Sequence, residues 1–257
     1  MDIKFDQHFL DNNKILQTEI EISNIKENDI ILEIGAGDGR LTRLILENKP
    51  NKLISIEIDS SLEEQLRKIK EKFSNFDYII GNGLEEIKNH KFTKIISNIP
   101  YSITEPLYNF ILDNKIEYIV LLHGEKFYNQ ILSKESKWYY FVNAFYNMKL
   151  IEEVDGKEFK PNAKVKSVLI KLELKNENEL TKKEIFFQSL FERKDRNTKN
   201  AIIYSLVEIG ITKKESKKII EKLNLNELTI NMKFENISNK SFEYIIDNLS
   251  DKLKMEK

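Results

Sequence analysis

Cysteine is absent from all 257 residues, which excludes disulfides and thiolate-held metals and suits a reducing cytosol. Long apolar runs are absent too: no stretch of about eighteen such residues exists, so no membrane-spanning helix is expected. The opening MDIKFDQHFLDNNK lacks the charged-then-apolar order of a secretion signal, and a cytoplasmic location is expected. An excess of either charge is also missing, the net charge being −1, so the whole-chain balance does not announce a polyanionic partner. A local excess does exist. Between Lys157 and Lys199 stand twelve Lys/Arg and seven Asp/Glu, a stretch that could face phosphates or be an ordinary solvated surface. His8, His90 and His123 lie far apart, without the short spacings of a metal site, and no metal is expected.

What is present is an alternation of two periodicities. Short Ile/Val-rich runs at 29–35, 52–58, 76–81, 93–98 and 116–122 are bounded by polar residues or glycine. Between them, GRLTRLILENK and SSLEEQLRKIKEKF carry Leu and Ile at helical spacing. Strand-length apolar runs alternating with amphipathic helices predict an α/β fold with a parallel, Rossmann-like sheet covered on both faces. KVKSVLIKLELK reads as a further strand with one wet side, and KNENEL after it as a linker. Beyond the linker every strong segment is helical. Gly210 is placed to stop one helix, and Thr212, with Glu215 three residues on, to start the next. The expectation is a catalytic α/β domain over 1–175 and a small all-helical domain over 176–257. Trp138, Tyr139, Tyr140 and Phe141 are read as core.

The first strand runs into EIGAGDGRLT. Gly35, Gly37 and Gly39 allow a sharp turn and a close backbone approach to a ligand, and the following helix would aim free N–H groups at it. A dinucleotide fingerprint needs its third glycine where Arg40 stands, so the NAD reading weakens. Glu57 ends the second strand twenty residues after Gly37, where its carboxylate could accept from both hydroxyls of a ribose. Alternation places Asp59 on the other side of the chain. Asn82, in GNGLEE after the third strand, can both donate and accept and could read a base edge, although an Asn-Gly pair is also an ordinary turn.

IISNIPYSITEP lies at the carboxyl end of the fourth strand, where open α/β sheets bind ligands. The exocyclic nitrogen of adenine is a poor nucleophile because its lone pair is delocalised into the ring. The Asn98 carbonyl and a backbone carbonyl nearby could accept its two N–H groups and draw the nitrogen towards tetrahedral geometry. Pro100 stiffens the turn and leaves the carbonyl before it free. Tyr101 offers a flat face to a base, worth roughly 1–3 kcal/mol by stacking. No general base is needed, because the alkylated ammonium is acidic enough to lose its proton to water. Phe159, in EFKPNAKVKS, is a candidate second stacking face or else a core residue.

Taken together, QHFL (7–10), LEIGAGDGRLT (32–42), IEID (56–59), GNGL (81–84), SNIPYSI (97–103), FKPNAKVKSVLIKL (159–172) and LFERKDRNTKNAI (190–202) make the chain resemble the ribosomal RNA adenine dimethyltransferases, in their archaeal and eukaryotic-like branch. The resemblance covers nearly the whole length. It implies S-adenosylmethionine as methyl donor, held by His8, Leu10, Gly35, Gly37, Glu57, Asn82 and Asn98. It also implies a flipped adenine held by Asn98, Pro100, Tyr101 and Phe159, with two adjacent adenosines near the 3′ end of small-subunit ribosomal RNA dimethylated during ribosome biogenesis. The helical domain would contact RNA, and the chain would act as a monomer. The alternatives are a large-subunit RNA target or a non-catalytic ribosome-assembly paralogue. The chain departs from the family pattern at Asp6, at Asn82, in HGEKFYNQIL and in WYYFVNAF, the last two lying where target choice is expected.

Overall fold

The computed structural model describes residues 8–253; Asp6 and Gln7 lie outside the described residues. In chain order the elements are β1 (Phe9–Leu10), α1 (Asn13–Ser23), β2 (Ile30–Ile34), α2 (Arg40–Glu47), β3 (Lys52–Glu57), α3 (Glu63–Lys72), β4 (Phe76–Ile80), α4 (Gly83–Glu86), β5 (Lys94–Asn98), α5 (Thr104–Asn114), β6 (Tyr118–Gly124), α6 (Glu125–Leu132), α7 (Lys137–Phe145), β7 (Tyr146–Val154), β8 (Phe159–Lys160), β9 (Ser167–Leu174), α8 (Lys182–Glu192), α9 (Thr198–Glu208), α10 (Lys213–Leu223), α11 (Glu227–Asn231) and α12 (Asn239–Leu253).

Seven strands form one sheet in the order β4-β3-β2-β5-β6-β9-β7. β4, β3, β2, β5 and β6 run parallel, and β9 closes on β6 antiparallel. This is a Rossmann-like doubly wound sheet. The parallel strands are apolar because helices cover both faces: Ile31, Leu32, Leu53, Ile95, Ile96 and Ile119 to Leu121 are fully buried, each burial stabilising by about 1.5–3 kcal/mol. The chain steps from β2 outward to β4, then returns to the other side of β2 to begin β5. The order therefore reverses between β2 and β5, and a crevice opens beyond their carboxyl ends.

The helices carry their own signals. Asn12 caps α1 by accepting from the Lys14 and Ile15 N–H groups. α3 has Glu63 and Glu64 in its first turn and Lys70 and Lys72 in its last, matching the helix dipole at both ends. At the base of the sheet Lys94 and Asp29 form a buried ion pair at 2.7 Å.

The chain divides into two compact units, 1–128 with 148–174, and 129–147 with 175–257. Segment 129–147, counted with the first domain from sequence, belongs to the second unit. The reason is the aromatic face of α7. Tyr140 meets Phe187 at 4.7 Å between ring centroids, Phe141 meets Phe191 at 5.3 Å, and Phe145 meets Phe191 at 5.7 Å. Tyr140 and Phe141 are core as expected, whereas Trp138 and Tyr139 are half-buried. Gly210 follows α9 at φ +94°, and Thr212 caps α10 by accepting from the Glu215 N–H at 3.2 Å. The basic stretch from Lys157 to Lys199 is shared between the units; in the second, Arg196 and Lys199 are exposed. Among the described residues no helix is long and apolar enough to cross a membrane.

Candidate active site

The crevice at the switch point is a cavity of about 370 Å³ within the first unit. One wall is the turn after β2. Gly35, Gly37 and Gly39 all have positive φ (79°, 57° and 79°), a region that costs any side-chain-bearing residue. A Cβ on Gly37 would come within 2.8 Å of the Phe9 ring, so the glycine also lets β1 cross close above the loop. Glu57, 4% exposed at the end of β3, accepts the Gly37 N–H through Oε2 at 2.8 Å and the Asp59 N–H through Oε1 at 2.9 Å. A carboxylate has about four lone-pair sites, so two remain for a ligand. The Asp59 side chain turns away and accepts from the Ser61 N–H.

The opposite wall is the turn after β5, with Asn98, Ile99, Pro100 and Tyr101 all lining the cavity. Ile99 donates its N–H to the Leu122 carbonyl at 3.0 Å, tying the turn to β6. The Tyr101 hydroxyl and Ser167 Oγ lie 2.8 Å apart. A Cβ on Gly124 would stand 3.1 Å from the Tyr101 ring, so that ring is held at its edge by β9 and along one side by the end of β6. His8 stacks near it, at 6.4 Å between centroids and an interplanar angle of 22°, and shares a 2.8 Å hydrogen bond between Nδ1 and the Pro161 carbonyl.

The third side is a two-stranded sheet in which Phe9 faces Lys160 and Leu10 faces Phe159. This pairing, which sequence periodicity is too short to reveal, brings Leu10 and Phe159 to the cavity wall together. Arg40 staples the pair in place. It donates to the Leu10 carbonyl at 3.1 Å and forms an ion pair with Asp11, which also pairs with Lys160. The two cations hold the Asp11 carboxyl below its usual range. Arg40, noted from sequence only as the residue that spoils a dinucleotide fingerprint, thus has a structural task of its own.

Of the ten residues singled out for this site, nine, His8, Leu10, Gly35, Gly37, Glu57, Asn98, Pro100, Tyr101 and Phe159, line one cavity, and Asn82 is not among the lining residues. Asn82 is exposed and caps α4, its Oδ1 accepting from the Leu84 N–H at 3.0 Å. An Asn before a helix-starting glycine satisfies an otherwise orphan N–H, and that local use takes one of the two lone-pair sites of its oxygen.

Two buried carboxyls escaped the sequence reading. Glu33, on β2 in the cavity wall, accepts from Thr42 and Ser55 through Oε2 at 2.7 and 2.5 Å, while Oε1 has no partner among the described residues. Burial pushes it up to about 7, against the pull of those hydroxyls. Glu19, on α1, is wholly buried and is pushed up to about 8 by desolvation and then by Glu33. Hydrogen bonding orients the Asn98 amide with Nδ2 towards Glu19, 3.1 Å from each carboxyl oxygen. The signal for Glu19 was available: Ile15, Leu16, Ile20 and Ser23 mark the inward stripe of a helix, and Glu19 falls on it. His123 is buried, shares a hydrogen bond with Tyr108 and lies 3.0 Å from the Gly124 carbonyl; burial pushes it down to about 4. No group of three His, Asp or Glu stands together as a ligand set among the described residues.

A doubly wound sheet whose switch-point cavity joins a glycine turn and a strand-end acid to an Asn-Ile-Pro-Tyr turn defines the class of S-adenosylmethionine-dependent methyltransferases. The chain belongs to the ribosomal RNA adenine dimethylase family, whose model matches residues 1–241. It is 31% identical over 256 residues to the ribosomal RNA small subunit methyltransferase A of Fusobacterium nucleatum, covering 95% of each chain. It is 32% identical over 236 residues to the probable ribosomal RNA small subunit methyltransferase A of Methanococcus aeolicus, covering 88% of this chain and 86% of that one. Among solved structures it resembles a dimethyladenosine transferase from Plasmodium falciparum, with a TM-score of 0.64, 26% identity and coverage of 95% of this chain and 98% of that one. It shares its fold with the 23S rRNA methyltransferase ErmE, at a TM-score of 0.61 and 20% identity.

Proposed function

We propose that this protein transfers methyl groups from S-adenosylmethionine to the N6 amine of two adjacent adenosines near the 3′ end of small-subunit ribosomal RNA, giving dimethyladenosine at both. The observation that carries this reading is the meeting, in one cavity, of a Glu57-backed glycine turn with the Asn98–Tyr101 turn. The donor fits the first half. Gly35 and Gly37 let the backbone come close, Glu57 keeps lone pairs for the ribose hydroxyls, and His8 and Leu10 close that side. Asn82, whose oxygen caps α4 with one lone-pair site, keeps the other for the adenine edge of the donor. The donor supplies an electrophilic methyl on a sulfonium.

The chain's own residues do the rest by positioning. A stacked base cannot present its amine to this cavity, so the target adenine is flipped out. Tyr101 and Phe159 offer it apolar faces, Tyr101 held by Ser167 and Phe159 by the β1–β8 pairing. Asn98 Oδ1 and the Ile99 carbonyl accept the two amine hydrogens, and Pro100 keeps the turn rigid. The nitrogen lone pair forms the new C–N bond as the C–S bond breaks, and the proton leaves to water. The helical unit contributes RNA contacts through exposed cations such as Arg196 and Lys199. The protein works as a monomer in the cytoplasm.

The test is to incubate the protein with immature small subunits and labelled S-adenosylmethionine and to map methyl-adenine. Dimethylation of two neighbouring adenosines in small-subunit RNA is expected. Label confined to large-subunit RNA would replace the substrate assignment, and cofactor binding without any transfer would replace the enzyme reading with an assembly role.

A further inference from the structure

Glu19 is an expensive residue in its place. It lies within the apolar stripe of α1, between Ile15, Leu16 and Ile20, with no exposed surface. A buried carboxyl is costly unless it is paired, and the groups that act on it are Glu33, which repels it, and the Asn98 amide. No lysine, arginine or histidine is among them. An apolar residue at position 19 would complete the stripe and remove the cost.

Among the described residues, the directed contact made by its carboxyl is to the side chain on which the proposed chemistry depends. Turned with Nδ2 towards α1, the Asn98 amide has that nitrogen 3.1 Å from both Glu19 oxygens, and the carboxyl keeps an accepting carbonyl oxygen for it even while protonated. Glu19 is not part of the cavity wall, whereas Asn98 is, so an amide whose nitrogen is drawn back to α1 presents its oxygen on the cavity side. The two ends of an amide have nearly the same shape and opposite hydrogen-bonding character. Rotated by half a turn, Asn98 would offer N–H groups to an amine that is itself a donor, and would hold nothing.

We infer that Glu19 is a positioning residue that fixes the Asn98 amide with Oδ1 facing the cavity, and so selects a substrate group that donates, an exocyclic amine, over one that only accepts. This rests on the methyl-transfer reading above and adds to it the element that sets the polarity of the amine site. Asn98 meets the substrate; Glu19 acts through it.

Glu19→Leu and Glu19→Gln separate positioning from scaffolding. Glutamine, like a protonated glutamate, keeps a carbonyl oxygen for Asn98 Nδ2 beside a donor, and leucine keeps neither. With immature small subunits as substrate, kcat is expected to fall at least tenfold in Glu19→Leu and less than threefold in Glu19→Gln. KM for S-adenosylmethionine should be unchanged and the melting temperature of Glu19→Leu equal to or above wild type. A Glu19→Leu kcat within twofold of wild type overturns the inference. A fall accompanied by lower melting temperature and weaker cofactor binding also overturns it, in favour of a structural role. Should leucine prevent folding, Glu19→Ala carries the same comparison. A second readout needs no activity: the Asn98 side-chain amide protons, assigned by their loss in Asn98→Ala, should exchange slowly in wild-type protein and rapidly in Glu19→Leu. Equal exchange in the two overturns the inference even if the RNA substrate has been misassigned, and wild-type protein that transfers no methyl but shows the exchange difference overturns only the functional reading.

Discussion

Asn98 lines the cavity, and its amide also reaches the buried Glu19 carboxyl, 3.1 Å from each oxygen. Asn98→Ala should therefore lower methyl transfer by roughly 10²–10³, the usual cost of losing one preorganised group in a water-poor site, while the glycine turn and Glu57 still bind S-adenosylmethionine within about tenfold of wild type. It should also cost roughly 1–3 kcal/mol of stability, because Glu19 loses its partner. Single-turnover kinetics, calorimetric cofactor titration and thermal melting measure the three effects. Near-normal turnover would remove the amine-holding role, whatever the stability.

At the scale of elements, the site is a set of strand ends brought within reach of one another. β2 ends in the glycine turn, β3 in Glu57, β5 in Asn98 and β6 in Gly124, while the β1–β8 pair closes the side. Gly124 shows how closely these ends are fitted. Its absent side chain leaves room for the Tyr101 ring, which a Cβ would approach to 3.1 Å. Gly124→Ala should overpack that contact at a cost of about 1–3 kcal/mol and push the ring towards the cavity. Turnover should fall several-fold with S-adenosylmethionine affinity unchanged, because the wall proposed to hold the donor, the glycine turn with Glu57, is on the other side. Loss of cofactor affinity in parallel with turnover would mean that the two walls move as one and that Tyr101 has no separate part.

For the whole molecule, buried titratable groups give stability a pH dependence whose sign can be worked out. Folded Glu19 keeps its proton up to about 8 and folded Glu33 up to about 7, against 4.5 for an ordinary glutamate. Folding therefore takes up protons between 4.5 and these values, and stability falls as pH rises through that window, levelling off above about 8. His123 acts in the other direction. Pushed down to about 4 from 6.5, it removes stability as pH falls below 6.5 and is silent above it. From pH 6.5 to about 8 the two carboxyls set the trend among the described residues, so the melting temperature should decline with rising pH. Glu19→Leu should flatten the upper part of that decline, and an unchanged slope in the variant would show that Glu19 is already ionised in the folded protein.

Much of this protein is determined by sequence alone. Two periodicities separate strands from helices, because a strand repeats every two residues and a helix every 3.6; the five parallel strands and the Gly210 and Thr212 helix ends follow from local chemistry. The glycine turn, Glu57 and the Asn98–Tyr101 turn were legible because each sits at the end of a strand long enough to recognise. Three things depended on tertiary structure. The β1–β8 pair joins segments about 150 residues apart through strands of two residues each, too short for any period to show. The aromatic face of α7 is apolar in sequence, but which unit it joins is decided by where complementary rings stand. Asn82 and Glu19 make the same point from opposite sides. An Asn in a plausible binding motif turned to its own helix cap, and a Glu in an unremarked helix turned inward to Asn98. A side chain capable of several hydrogen bonds makes those that folding brings within about 3 Å, and that distance is a property of the packed molecule.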